Sequence, residues 1–73
     1  MRDMFINALR KKYEAEVDVA KATIEVYLEK SVGIGEHPQF FDEIDKQLAI
    51  IGCALDKLNV INKYYPNEDD IPF

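Results

Sequence analysis

Between residues 3 and 30 the chain has neither glycine nor proline, and Ile6, Leu9, Tyr13, Val17, Ala20, Ile24 and Leu28 recur at spacings of three and four. A stripe of that period belongs to one side of an α-helix, so the segment is predicted to be a long amphipathic helix over residues 3–30. Asp3 is the expected N-cap, and Lys30 suits the negative end of the helix dipole. The pattern breaks at "SVGIGEHP", where Gly33 and Gly35 can take positive φ and Pro38 fits the first turn of a new helix. Asp42, Glu43 and Asp45 then favour the positive end of that second helix.

The second helix is predicted over residues 38–65. Phe41, Leu48 and Leu55 alternate there with Ile44, Ile51, Leu58 and Tyr65 in a heptad, and Asn62 takes the next position, where it could fix register. Gly52 costs about 1 kcal/mol relative to alanine inside a helix, so it is read as a mark of close helix approach. Two helices of nearly equal length joined by a short connector give an all-α fold, an antiparallel hairpin.

A hairpin of 73 residues buries little of its surface, and nothing in the sequence staples it. Cys53 is the only cysteine, which excludes an internal disulfide and leaves no cluster for a structural metal. The first helix also has a second apolar face. At 100° per residue, Met4, Ala8, Ala15, Val19, Ala22 and Val26 project almost opposite the main stripe. Ile50, Cys53, Val60 and Tyr64 similarly lie off the main seam of the second helix. These extra faces predict a homodimer that forms a four-helix bundle; the alternative is that alanine and valine are filler on an exposed surface.

The formal charge of −5 disfavours direct binding to a phosphate backbone. Arg10, Lys11 and Lys12 are the local exception and read as a solvated helix flank. No apolar segment reaches the roughly 20 residues of a membrane span and no signal-peptide core is present, so an intracellular protein is expected. His37, with Glu36, Asp42 and Glu43 near it, is the only imaginable acid–base or metal site, and a hairpin offers it no shielded cavity. The prediction is therefore no enzyme, no metal and no cofactor. "GIG" lacks the preceding strand and fuller glycine pattern of a phosphate loop. Tyr27, Phe40, Phe41, Tyr64 and Tyr65 could stack on bases but fall on or beside apolar seams, where core packing explains them.

Residues 66–73 form an acidic C-terminal tail. Pro66 cannot continue the helix, and Asn67, Glu68, Asp69 and Asp70 make a short acidic spacer before Ile71, Pro72 and Phe73. Pro72 limits its own φ and pushes Ile71 toward an extended conformation, so the tip loses less entropy on docking. An aromatic anchor, a terminal carboxylate and flanking acids together suit an apolar pocket with a basic rim.

Asp69-Asp70-Ile71-Pro72-Phe73 resembles the acidic tip of the bacterial single-stranded-DNA-binding protein, a tail that recruits DNA replication, recombination and repair enzymes. The resemblance covers these five residues and excludes the body, because that family carries its DNA-binding activity on an OB-fold. It implies that Phe73 fills an apolar pocket and sets its α-carboxylate on a basic residue, with Ile71 and Pro72 at the pocket edge and Asp69 and Asp70 facing a basic rim. The body, through "VYLEKSVGIGEHP" and the following "DEIDKQL", is similar to small helical-hairpin proteins of tailed bacteriophages, a likeness that carries no activity with it. The expectation is a phage-encoded interaction module in the bacterial cytoplasm that binds and inhibits or recruits a host DNA-processing enzyme. The alternative is a structural or assembly bundle whose tail packs on its own body.

Overall fold

The computed structural model describes residues 2–31 and 38–66. They form two helices, α1 (Arg2–Ser31) and α2 (Pro38–Tyr64), packed on each other. The pairs across the interface fix an antiparallel arrangement. Arg10 meets Asn62 and Tyr65 near the chain termini, Tyr13 meets Lys57, and Tyr27 meets Phe40 near the connector. Among the described residues the fold is all-α, as the sequence predicts. The connector residues Gly33, Gly35, Glu36 and His37 and the tail residues Asp69, Asp70, Ile71, Pro72 and Phe73 lie outside the described residues.

The chain measures 55 × 22 × 14 Å, a single layer one helix thick. Such a layer has only one interior line, and little is buried along it: Ala20 and Ala54, each 1% exposed, and Ile61. Ile6, Tyr13, Val17, Ile24 and Tyr27 of α1 are half-buried along the same line, which keeps the stripe read from the sequence except at Leu9 and Leu28, both exposed, with Tyr27 in the place of Leu28. Small side chains at Ala20 and Ala54 let the two helices draw together there. The Tyr27 and Phe40 rings close the connector end with centroids 5.6 Å apart and a tilt of 59°.

The helix ends differ slightly from expectation. Asp3 lies within the first turn of α1, where its charge still faces the positive end of the dipole, instead of capping it from outside. Asp42, Glu43 and Asp45 fall beyond the first turn of α2, which is without acidic residues, so they gain little from that dipole. At the other end, the Tyr65 amide donates to the Ile61 carbonyl at 2.7 Å, and Pro66 stops further helix.

The seam of α2 differs from the predicted one. Phe40, Ile44, Gln47, Ile51, Ala54, Leu58 and Ile61 face α1 to varying depth, whereas Phe41, Leu48 and Leu55 are exposed by 80%, 55% and 46%. The two choices share Ile44, Ile51 and Leu58 and differ in which neighbouring line joins them. Rotation in the observed sense buries Ile61 in place of Asn62, which exchanges an amide needing a partner for an aliphatic side chain. Asn62 is thus no buried register device. Its Oδ1 accepts from the Arg10 guanidinium at 3.4 Å on the exposed edge. Gly52 is also corrected: a Cβ placed there meets nothing within 4 Å, so α1 does not approach it.

Candidate functional site

Each helix presents outward features that the hairpin does not use. On α1, Met4, Ala8, Ala15, Val19, Ala22 and Val26 are all exposed, Val19 by 65%, so the structure keeps the second apolar face together and leaves it outside the interior. On α2, Phe41, Leu48 and Leu55 form a second outward stripe, one that the sequence reading had placed inside. Ile50, Cys53, Val60 and Tyr64 are exposed too, consistent with their off-seam reading.

The two long edges of the hairpin differ. One carries the Arg10–Asn62 contact, and because Phe41, Leu48 and Leu55 precede Asn62 at intervals of seven, they run along that edge. Arg10 also donates to Asn7 Oδ1 at 3.0 Å and reaches the Tyr65 carbonyl at 3.4 Å. It is half-buried and ties the Tyr65 carbonyl, just past the end of α2, to α1, so it belongs to the fold more than to a solvated flank.

The other edge holds an apolar groove of about 310 Å³ at the open end of the hairpin. Ile6, Leu9 and Tyr13 of α1 face Val60 and Ile61 of α2, with Tyr65 at the end and Asp56 and Lys57 on the rim. The Tyr13 ring is approached by Lys12 Nζ at 4.9 Å and Lys57 Nζ at 5.0 Å, and Arg2 lies 5.8 Å from the centre of the Tyr65 ring. The groove therefore combines aliphatic walls, aromatic faces and nearby cations. Lys12 is held above the ordinary lysine range, chiefly by its 2.7 Å hydrogen bond to Glu16 Oε2. The sequence carried the parts of this groove in Leu9, Val60 and Tyr65, but their convergence depends on the rotation of α2, which periodicity alone left open.

Among the described residues, no group of three His, Cys, Asp or Glu side chains is placed to hold a metal ion, and no helix is long and apolar enough to cross a membrane. Of the aromatics considered for base stacking, Tyr27 and Phe40 pack on each other, while Phe41 and Tyr64 face outward. Comparison of the chain with protein-family models, curated proteins and solved structures finds no match in any of the three.

Proposed function

We propose that this protein is a non-enzymatic interaction module: a hairpin that associates with a second copy into a four-helix bundle and displays Asp69, Asp70, Ile71, Pro72 and Phe73 to a host DNA-processing enzyme in the bacterial cytoplasm. The observation that carries the proposal is the acidic-to-apolar order of those five residues and its likeness to the tip of single-stranded-DNA-binding protein. In a bacteriophage such a tail would let a small protein occupy or redirect replication, recombination or repair enzymes. The body supports the reading by what it supplies, a 14 Å-thick helical layer whose second helix ends at Tyr64, shortly before the tail. Two tails on one dimer add avidity where a target complex has two reachable pockets.

The test is capture from bacterial lysate by the intact chain and by a chain lacking Phe73, with the bound proteins identified. DNA-processing enzymes held only by the intact form, and displaced by a free peptide of sequence NEDDIPF, support the mimicry. Equal capture by both forms counts against it.

A second reading is favoured by the groove. Tyr65 lines it, and seven residues beyond Pro66 can span up to about 23 Å when extended. A tail with acids before an apolar tip suits aliphatic walls with Lys12 and Lys57 nearby. Under this reading the protein is a structural or assembly bundle whose tail covers its own body. Val60→Asp would then disturb the tail's amide signals in an NMR spectrum, whereas a tail reserved for a partner leaves them unchanged.

A further inference from the structure

We propose that the second copy docks on the Phe41, Leu48 and Leu55 edge of α2, antiparallel to it, with Gly52 on the two-fold axis, and not on the alanine–valine face of α1. The inference rests on the self-association part of the reading above and is independent of the tail.

Three observations converge on this arrangement. The first is the stripe itself. Phe41, Leu48 and Leu55 are bulky, exposed and spaced by seven, which is the pattern of one half of a helix–helix seam. Its complement is another helix with the same spacing, and a two-fold operator supplies one because a C2 interface uses the same patch on both copies. Half of the α1 face, Ala8, Ala15 and Ala22, is alanine, which offers less side chain to bury.

The second observation is Gly52. It sits one turn from Leu48 and nearly one from Leu55, it lowers helix propensity, and the space above it within the hairpin is open. A glycine on a two-fold axis lets two helix backbones approach without a Cβ between them. Leu48 then lies beside Leu55 of the second copy, and Asp45 lies level with Asn59 of the second copy, where the carboxylate can accept from the amide.

The third is charge. On the side of α2 that carries this stripe, Asp45 lies in the N-terminal half and Lys63 in the C-terminal half, whereas Lys57 lies at the groove on the other edge. Antiparallel pairing brings Asp45 toward Lys63 of the second copy, whereas parallel pairing sets each against its like. The interior reinforces the need for a cover, since Ala20, Ala54 and Ile61 are the whole of its buried apolar set among the described residues.

The test is sedimentation equilibrium of the full chain and of two variants, with helix content followed by circular dichroism. The intact chain is expected to be a dimer. Leu48→Asp should weaken association by about tenfold or more, because it sets a charge in the centre of the seam. Val19→Asp should leave association nearly unchanged. An intact chain that stays monomeric overturns the proposal, as does dissociation by Val19→Asp with Leu48→Asp still dimeric. Should Leu48→Asp lose its helices, oxidation of Gly52→Cys in a Cys53→Ser background decides the matter against Ala22→Cys in the same background. A cross-link between copies at position 52 supports the axis placed there, and a cross-link at position 22 alone rejects it. Lysate capture through the tail can fail while these results hold, so the two proposals fall separately.

Discussion

At two steps along α2, Gln47–Leu48 and Ala54–Leu55, the inward and outward sides are filled in the reverse of the usual order, although Phe40, Ile44, Ile51, Leu58 and Ile61 also face α1. Facing α1 are Gln47 and Ala54, while Leu48 and Leu55, their immediate neighbours in sequence, point away from it. An isolated hairpin would gain by exchanging these roles, because each fully buried leucine is worth about 1.5–3 kcal/mol relative to its exposed state. The proposed second copy would divide two packing tasks between two lines of one helix, the inner line meeting α1 and the Phe41, Leu48 and Leu55 line meeting the second copy.

The most severe way to break this contrast is to place a charge on the inner line. Ala54→Asp puts an unpaired carboxylate where the parent side chain is 1% exposed, a cost of several kcal/mol. Loss of the helical circular dichroism signal at room temperature is expected. Retention of the parent melting temperature would show that the inner line is not where the structure puts it. A gentler probe of the same line is Ala54→Leu, which overfills the contact and should cost about 1–3 kcal/mol, whereas Gly52→Ala on the outer side adds a Cβ that meets nothing within 4 Å in its own hairpin.

Gly52→Ala sharpens the comparison because its sign depends on protein concentration. In the lone hairpin the change gains about 1 kcal/mol of helix propensity. In the dimer it puts a Cβ on the proposed axis. Melting curves should show stabilisation in dilute samples and a smaller or reversed effect in concentrated ones. The same gain at all concentrations would remove the glycine from the interface.

How far the sequence was legible follows from these same residues. The α1 stripe was readable because its apolar positions are flanked by charges, as in Lys12, Glu14, Glu16 and Asp18 around Tyr13 and Val17. The rotation of α2 was not, because Phe40, Phe41, Ile44, Leu48, Ile50, Ile51, Ala54, Leu55, Leu58 and Ile61 spread over about half of its circumference, wider than one seam. Two heptads then fit equally well, and tertiary contacts choose between them. Asn62 offered a clue, since a buried amide requires a partner and the chosen rotation avoids the need. The outward face of α1 was visible as a pattern, but its being a face at all depended on the hairpin having one interior line. The groove required both helices at once.

Two smaller effects concern the edges. Arg10→Ala removes the contacts to Asn62 and the Tyr65 carbonyl, long at 3.4 Å, and should cost about 0.5–1 kcal/mol. Greater hydrogen exchange at the Tyr65 end of α2 would register it. The Lys12–Glu16 pair lies at the surface and contributes least. Because the folded lysine pKa is raised, its contribution is present below the ordinary lysine range and is lost as pH rises through the folded value. The parent's melting temperature should therefore fall further at high pH than that of Lys12→Ala, and an equal fall in the two would show that the pair adds nothing.

The division of labour within α2 is tested most directly by NMR on a sample mixed from isotopically labelled and unlabelled chains, filtered for contacts between copies. The predicted result is a contact between the methyl groups of Leu48 and those of Leu55 in the other copy, with none from Val19 or Val26. Contacts between copies confined to Val19, Ala22 and Val26, or none at a concentration where the chain sediments as a dimer through another face, would contradict it.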